Sequence, residues 1–473
     1  MIKLRPYQET GLRNIQESLR DKARTLYQCP TGGGKTTIFS EIISRYHKYN
    51  PDKQVLAIAH RKELIKQMHR RLGEFGISSW EVIGGRAKNP NYPVQVASIQ
   101  TLATQKDSDW ANNIGLVVID EAHHFSLGSS YAKVYDRYPD ALKLGVSATP
   151  CRLDGKPLKD GFDKLILGPS MGSLIEDRHL ADYVYIRGVS PNISGVGTIA
   201  GDYNKRELRE SFDKFRYGDL VESWKEYAHG KSTVVFAVDV EDSLGICQRY
   251  QDAGIKAEHL DGKSPPLERD AILARFTAGI TTVLTNCGIV GEGLDIPRIE
   301  CIQLARPTKS LVLYLQAVGR ALRAQGDKKA IILDHADCLK EFGFPCDHRS
   351  WSLEGNIDRP SPEFTQFIKE SPEGAISKQL VLPEINKIIE VNSKMELVSR
   401  SSKLRVDEIV KLINQRNWKP KAGYFRLREV MGDRLTIDDL RYFCRQVGKH
   451  HNWAVHLWEE HQEWLIDSGL KCF

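Results

Sequence analysis

The feature that most restricts how this chain can fold is a glycine-rich segment near its N-terminus, Cys29-Pro30-Thr31-Gly32-Gly33-Gly34-Lys35-Thr36-Thr37. Glycine permits the positive φ angles and the close backbone approach with which several N–H groups turn toward one anion. Residues 25–28 before the segment are typical of a short strand, and apolar residues recur at helical spacing after it. Strand, glycine loop and helix in this order indicate a phosphate-binding loop.

The residue types within this loop point to nucleotide binding. In such loops a lysine reaches the β- and γ-phosphates and the next hydroxyl group holds Mg²⁺, and these positions are Lys35 and Thr36 here. Cys29 stands where the usual pattern has glycine, and the alternative is a glycine-rich turn with an incidental lysine. The residues of this segment predicted to bind the nucleotide are Thr31, Gly32, Gly33, Gly34, Lys35, Thr36 and Thr37.

Apolar segments alternate with helical patterns along two stretches of the chain, which predicts an α/β fold with parallel sheets. A chain of 473 residues is too long for one core, so several domains are expected. Prolines and glycines loosen the pattern between the two stretches, and we place a domain boundary near residue 187. The predicted units are two α/β domains, a linker and a small, mainly helical domain, at residues 1–187, 188–345, 346–400 and 401–473.

Polar residues stand at the carboxyl ends of several predicted strands, where open α/β sheets bind their ligands. Asp120 and Glu121 follow the most apolar strand, and two adjacent carboxylates there are costly unless they serve a cation or a proton transfer. We predict that Asp120 holds Mg²⁺ together with Thr36, and that Glu121 orients and deprotonates an attacking water. Four further polar residues at strand ends are ligand-binding candidates, with ordinary polar loop residues as an equal alternative. These are His60, Arg61, Gln100 and Thr101.

The second α/β stretch contains no phosphate loop, and it contributes a helix carrying Gln316, Arg320 and Arg323. The two arginines are three residues apart and therefore share one helical face. In isolation such a pair would be solvated or ion-paired.

Near the N-terminus, Gln8 has the amide donor and acceptor that can pair with the edge of an adenine, although most glutamines are merely solvated.

In this order the segments resemble the motif series of the superfamily 2 helicases of the DEAD/DEAH group. The matching segments are residues 4–8 (a Q-like motif), 30–37 (motif I), 59–64 (motif Ia), 120–123 (motif II), 147–149 (motif III), 285–297 (motif V) and 316–323 (motif VI). The run from residue 332 to residue 355 is similar to the RadD-like branch of bacteria and their phages. That family does not require the first glycine of motif I, so Cys29 fits the resemblance.

The resemblance implies two RecA-like doubly wound domains that close on ATP and Mg²⁺, and an ATP-dependent DNA helicase or translocase of replication, recombination or repair. It implies catalytic roles for Lys35, Glu121, Gln316, Arg320 and Arg323. Additional residues implied to bind the nucleotide are Arg5, Gln8, Gly293 and Asp295. Those implied to contact nucleic acid are His60, Arg61, Gln100, Thr101 and Thr285.

The partners implied are single-stranded, forked or branched DNA and proteins of replication or repair. RNA stays open as a substrate, because contacts to phosphates do not report the sugar. A protein that uses ATP as a switch to clamp nucleic acid or a partner without unwinding is the alternative from a different functional class. Both alternatives imply a nucleic-acid-dependent ATPase.

The segment 401–473 lies beyond these motifs and is unusually aromatic, with Trp418, Trp453, Trp458 and Trp464. Between Lys403 and Arg428 there are eight Lys/Arg residues against two acids, interleaved with aromatic residues. This mixture suits nucleic-acid binding through phosphate contact and base stacking. A small helical domain with a tryptophan core and a solvated basic face is an equal alternative.

Composition favours a cytoplasmic protein that can have a polyanionic partner. The net charge of +6 permits such a partner without demanding one. Nine scattered cysteines favour a reducing compartment, and no segment approaches the roughly 18 apolar residues that a membrane span needs. The N-terminus has no apolar run suited to a signal peptide. A cluster at residues 335–348 holds two cysteines and two histidines, but its spacing is not a usual zinc pattern.

Overall fold

The computed structural model describes residues 3–105, 113–152, 155–188, 193, 195–199, 201–212, 217–288, 296, 299–323, 329–355 and 396–398, with Tyr424, Leu440, Phe443, Cys444, Leu457 and His461. These residues form two lobes, each built on one seven-stranded sheet. Within these ranges no helix combines the length and apolarity that crossing a membrane requires.

The first lobe contains a fully parallel sheet covered by helices. Its strands are β1 (Thr25–Gln28), β2 (Gln54–Ala59), β3 (Ser79–Val82), β4 (Val94–Ser98), β5 (Ile114–Asp120), β6 (Leu142–Ser147) and β7 (Lys164–Leu167). Its helices are α1 (Pro6–Arg20), α2 (Lys35–Tyr49), α3 (Lys62–Glu74), α4 (Ile99–Thr104) and α5 (Ser130–Arg137). The strand order is β3-β4-β2-β5-β6-β1-β7, and every pairing is parallel.

Burial explains why these strands are nearly continuous apolar runs. Residues Leu116–Ile119 of β5 are fully buried, because hydrophobic clusters pack against both faces of the sheet. A parallel sheet needs such cover on both sides. The carboxyl ends of β1, β2, β4, β5 and β6 therefore meet at one edge, which is where the predicted site residues stand.

The second lobe begins after α6 (Met171–Glu176). Its strands are β8 (Tyr183–Arg187), the hairpin β9 (Thr198–Ile199) and β10 (Asp202–Tyr203), β11 (Thr233–Phe236), β12 (Ala257–Leu260), β13 (Val283–Asn286), β14 (Cys301–Leu304), β15 (Ala330–Asp334) and β16 (Glu396–Val398). Its helices are α7 (Lys205–Phe212), α8 (Tyr217–Tyr227), α9 (Val240–Asp252), α10 (Pro266–Thr277), α11 (Leu311–Ala321) and α12 (Cys338–Phe342). The sheet order is β12-β13-β11-β14-β15-β8-β16, with only β16 antiparallel among its described strands.

The predicted fold class, two tandem doubly wound α/β domains, is confirmed. The predicted boundary near residue 187 differs from the structure, because β8 pairs in parallel with β15 of the second sheet. The change from one sheet to the other therefore lies between β7 and β8. Sequence pattern missed this, because Tyr183–Arg187 continues a stretch interrupted by prolines and glycines and looks like the end of the first domain.

Part of the predicted linker is packed structure. Residues 344–355, here called the return segment, run from the second lobe back to the first. Phe344 belongs to a core cluster of the second lobe, and Leu353 packs against a core cluster of the first. The Leu158 N–H donates to the Leu353 carbonyl at 2.7 Å, and Lys159 pairs with Glu354 at 2.6 Å. The lobes are thus joined at a second place besides the chain between β7 and β8.

Candidate active site

The phosphate-binding loop predicted from the sequence lies between β1 and α2. Gly32 and Gly34 have φ angles of 84° and 88°, in the left-handed region that favours glycine. Gly34 is the N-cap of α2, so that Lys35 is the first helical residue. A Cβ atom at Gly34 would collide with the side-chain amide of Gln8. The loop therefore requires glycine at this position and ends at a helix N-terminus, which favours a bound anion.

Cys29 is tolerated in this loop because its side chain faces the protein interior. The residue is fully buried, and burial raises the pKa of its thiol to about 11, so the thiol is neutral at pH 7. A Cβ atom at Gly33 would lie 2.6 Å from Cys29 Sγ, which shows how closely the sulfur packs against the loop. A neutral, inward-facing thiol leaves the anion-binding side of the loop unchanged.

A cavity of about 380 Å³ lies between the phosphate-binding loop and the second lobe. The first lobe lines it with predicted nucleotide-binding, metal-binding and catalytic residues. These are Arg5, Thr31, Gly32, Gly34, Lys35, Thr36, Asp120 and Glu121. The second lobe lines it with three residues from α11 and the turn after it. These are Gln316, Arg320 and Arg323. Folding thus brings the predicted residues of both sequence halves into one space.

The adjacent carboxylates lie at the end of β5, in a turn that the neighbouring strand supports. Glu121 has a φ angle of 50°, which is uncommon for a residue with a side chain, and its N–H donates to Asp120 Oδ1 at 3.0 Å. A one-turn 3₁₀ helix, Ala122–His124, follows. Glu121 Oε2 lies 3.4 Å from His123 Nδ1, and that nitrogen lies 3.0 Å from Ser147 Oγ. The ends of β5 and β6 are therefore linked through side chains.

The residues contributed by the second lobe are buried polar groups that suit an anionic ligand. Gln316 is 2% exposed, and within the described part of the chain neither polar atom of its side-chain amide has a hydrogen-bond partner. An unsatisfied buried amide costs about 1–3 kcal/mol, so a polar ligand in the cavity would be favourable. Arg320 is also buried, and burial lowers the pKa of Arg323 because the charged guanidinium loses hydration. A bound anion would compensate for that loss.

Several predicted nucleotide-binding residues lie beside the cavity and do not line it. The Gln8 side chain is buried, and its Oε1 accepts the backbone N–H of Arg5 at 2.9 Å. Its amide oxygen is therefore engaged within the first turn of α1. Thr37 Oγ1 accepts a hydrogen bond from Arg71 at 2.7 Å. Gly33 is buried within the loop, and Gly293 and Asp295 lie outside the described residues.

The predicted nucleic-acid residues of the first lobe lie at neighbouring strand ends. His60 and Arg61 follow β2, and Gln100 is the second residue of α4, just after β4. Gln100 is exposed and donates its amide to the His60 carbonyl at 3.0 Å. Arg61 reaches the second lobe and donates to the Gly288 carbonyl at 3.1 Å. These residues therefore form one polar surface that extends across the cleft.

Two of the predicted nucleic-acid residues are buried. Thr101 is 8% exposed. Thr285 is fully buried, and its hydroxyl donates to the Ser243 carbonyl at 2.9 Å. β13 extends to Asn286, so Thr285 lies within the sheet and not in the loop after it. Its side chain therefore faces the interior of the second lobe, which differs from its predicted place on the nucleic-acid surface.

The cavity includes residues that sequence analysis missed. Leu64 and Gln67 line it from α3, and His179 lines it from the chain that connects the two lobes. The ring of Tyr7 lies 5.4 Å from that of His179, and the Tyr7 hydroxyl donates to the Gly33 carbonyl at 2.9 Å. The three-residue spacing of Leu64 and Gln67 on a helix was the available signal for the first pair. Nothing in the local sequence singles out His179, because its place depends on how the lobes meet.

The interpretations of segment 401–473 fall almost entirely outside the described residues, including its tryptophans and basic residues. Four apolar or aromatic residues that are described there are fully buried. These are Tyr424, Leu440, Phe443 and Leu457. Tyr424, one of the interleaved aromatic residues, is therefore packed in an interior and not available for stacking on a base.

Comparison with known proteins gives a family assignment for each lobe. The family described as the type III restriction enzyme res subunit matches residues 1–152, and the helicase conserved C-terminal domain matches residues 219–325. The chain is 34% identical over 355 residues to a 51.5 kDa protein of a Lactococcus phage (isolate 7-9), and the alignment covers 74% of each chain. It is 30% identical over 374 residues to the putative ATP-dependent helicase IRC3 of Saccharomyces cerevisiae. That alignment covers 72% of this chain and 51% of the yeast protein, so the chain spans about half the length of that relative.

A solved structure shows the same fold. The ATP-dependent type ISP restriction-modification enzyme LlaBIII, bound to DNA, aligns with a TM-score of 0.52 and 16% identity, covering 70% of this chain and 27% of that one. The phage relative is matched over most of both chains, the second lobe matches a helicase family, and the yeast relative is a putative ATP-dependent helicase. The chain therefore belongs to superfamily 2 of the helicases, a group of nucleic-acid-dependent ATPases.

Proposed function

We propose that this protein is an ATP-dependent DNA helicase or translocase that couples ATP hydrolysis between its lobes to movement on DNA. The observation that carries the proposal is the single cavity shared by the phosphate-binding loop, Glu121 and the α11 residues Gln316 and Arg320. Because the two lobes supply different parts of this site, hydrolysis depends on their approach. Opening and closing of the lobes can then be converted into steps along a strand.

The donor set fits ATP with Mg²⁺. The left-handed glycines and the N-terminus of α2 suit the phosphates, and Lys35 and Arg5 add positive charge. The Thr36 hydroxyl and the Asp120 carboxylate supply oxygen ligands, which Mg²⁺ prefers. When bound, Mg²⁺ would neutralise charge on the phosphate oxygens. Gln316, whose amide has no partner within the described residues, would position the attacking water.

Glu121 is assigned the role of general base. The Glu121 carboxylate lines the cavity, and its Oε2 lies 3.4 Å from Nδ1 of His123, a ring that Ser147 holds. Arg320 and Arg323 act from the opposite lobe, where they would stabilise negative charge that develops on the transferred phosphoryl group. Hydrolysis should therefore be slow in any arrangement that separates the two lobes.

DNA is the proposed substrate, and single-stranded, forked or branched DNA the proposed form. The first lobe matches the family of the type III restriction enzyme res subunit, and LlaBIII, which shares the fold, was solved bound to DNA. The described cysteines are all free thiols, which fits a reducing compartment such as the cytoplasm. Replication or repair proteins are the proposed protein partners.

We expect ATP hydrolysis to be stimulated by single-stranded and forked DNA more than by duplex DNA or RNA. Strand displacement from a fork, and displacement of streptavidin from a biotinylated end, would show movement. ATP hydrolysis with DNA stimulation but without either displacement would favour the ATP-switched clamp. Stimulation by RNA alone would reject DNA as the substrate, and no stimulation by any nucleic acid would reject the proposal.

Gly319 of α11 lies against Thr31 of the phosphate-binding loop, where a side chain would hinder the approach of the lobes. A Cβ atom there would lie 2.6 Å from Thr31 Cβ and 3.0 Å from Thr31 Cγ2. We expect Gly319→Ala to hold the lobes apart and to lower ATP hydrolysis roughly 5- to 100-fold, since overpacking costs about 1–3 kcal/mol. Alanine favours a helix over glycine, so the melting temperature should not fall.

Gly73→Ala is the matched control for this variant. Gly73 lies in α3, and within the described part of the chain no atom is within 4 Å of a Cβ added there. Steady-state ATP hydrolysis and thermal unfolding of both variants separate a local clash from a general effect of alanine. Wild-type hydrolysis in Gly319→Ala would mean that the lobes do not need to meet at this point.

A further inference from the structure

Three histidine rings lie in contact between the cavity and the polar surface of the first lobe. They belong to His60, at the end of β2, and to His123 and His124, in the one-turn helix after Glu121. The ring centroids of His123 and His124 are 4.3 Å apart, and those of His124 and His60 are 4.5 Å apart. The planes of the first pair are inclined by 39° and those of the second by 59°, so the rings are in tilted contact. We call this arrangement the histidine stack, and His124 is its middle ring.

One end of the histidine stack lies beside Glu121. His123 Nδ1 lies 3.4 Å from Glu121 Oε2, and the backbone N–H of His124 donates to the Glu121 carbonyl at 3.0 Å. Glu121 has a left-handed backbone, which persists only where its surroundings enforce it. The orientation of the Glu121 carboxylate therefore depends on the position of the turn that carries His123 and His124.

The other end of the histidine stack belongs to the surface proposed to bind nucleic acid. Arg61 Nε donates to His60 Nε2 at 3.3 Å, and Gln100 donates to the His60 carbonyl at 3.0 Å. Arg61 also bonds to the Gly288 carbonyl of the second lobe. A nucleic-acid strand that accepts these hydrogen bonds from Arg61 Nε or the Gln100 amide therefore takes them away from His60.

We propose that His124 is a positioning residue that couples nucleic-acid binding at His60 and Arg61 to the orientation of Glu121. Packed rings transmit small displacements because protein interiors are close-packed. A nucleic-acid strand bound on the polar surface shifts the His60 ring, and the His124 ring that contacts it moves as well. The turn that carries His124 then brings the Glu121 carboxylate into its productive orientation. The inference rests on the proposed function. His124 lies one residue beyond the motif II match at 120–123, so its role is assigned by its ring contacts.

The test measures the ratio of ATP hydrolysis with single-stranded DNA to hydrolysis without it. We expect His124→Ala to lower this ratio by roughly tenfold, within the range typical of coupling between two sites. His124→Phe keeps a flat ring in the stack and should retain most of the ratio. His124→Gln keeps a polar side chain but has no ring, so it should lower the ratio as His124→Ala does. If the alanine variant does not fold, the glutamine variant takes its place in the test. His69→Ala, a histidine outside the stack, is the control.

A double-mutant cycle tests whether His124 and His60 act as one unit. If His124 acts through His60, the ratio in His60→Ala combined with His124→Ala should equal that of either single variant. In His124→Ala, the dissociation constant for a single-stranded DNA oligonucleotide, measured separately, should change by a smaller factor than the hydrolysis ratio.

Three outcomes would overturn the inference alone. They are an unchanged ratio in His124→Ala, equal losses in the phenylalanine and alanine variants, and additive losses in the double variant. A wild-type protein that no DNA or RNA stimulates would overturn the proposed function and this inference together. Because the wild type is measured first, the two failures are distinguishable.

Discussion

Replacing Glu121 by glutamine is expected to lower the rate of ATP hydrolysis by about two to four orders of magnitude, the range that a positioned general base contributes. The amide keeps the shape of the carboxylate but cannot accept a proton from water. ATP should still bind, because Lys35, Thr36 and the backbone of the loop are unchanged. The loss should therefore appear in kcat, with KM little affected.

Single-turnover hydrolysis measures the chemical step in this variant, and the rise in melting temperature with ATP measures binding. Glu17→Gln is the matched control, since Glu17 is exposed on α1 and does not line the cavity. Lys35→Ala should give the opposite signature, with weakened nucleotide binding. Near-normal hydrolysis in Glu121→Gln would remove Glu121 from the role of base.

Replacing Arg320 or Arg323 by alanine should lower hydrolysis by as much as about 10³- to 10⁵-fold, the effect of an arginine finger in other phosphoryl-transfer enzymes. Both residues line the cavity from the second lobe, opposite Lys35 and the carboxylates. The two single variants decide which arginine acts on the phosphoryl group, because the residue that does so should show the larger fall in kcat.

Arginine-to-lysine variants at the same positions sharpen this test. A guanidinium offers a planar fork of donors that an ammonium cannot reproduce, so lysine should restore only a small part of the rate. Arg13→Ala, an exposed arginine on α1, is the control for loss of positive charge. If both alanine variants hydrolyse ATP at the wild-type rate, the second lobe does not take part in chemistry.

The sequence alone determined the local structure around the phosphate-binding loop and the end of β5. Glycines before Lys35 predicted the left-handed turn of the phosphate-binding loop, since only glycine adopts that backbone without strain. The apolar run before Asp120 predicted a strand that ends at the two carboxylates, and β5 is observed at Ile114–Asp120. The helical spacing of apolar residues after the loop predicted helix α2, which is observed at Lys35–Tyr49. These features depend on short-range chemistry, so neighbouring residues are sufficient to predict them.

Other features depended on which elements meet, and the tertiary structure alone decided them. β8 joins the second sheet because β15, far along the chain, offers it a parallel partner. Thr285 is buried because β13 extends past it. The sequence does not distinguish Gly319 from other glycines, and only the packing of α11 against Thr31 shows that a side chain would clash there. The contact of His124 with His60 joins residues from two strand ends, and no local pattern specifies that contact. Long-range packing sets these positions, and it places the residues of the second lobe opposite the phosphate-binding loop.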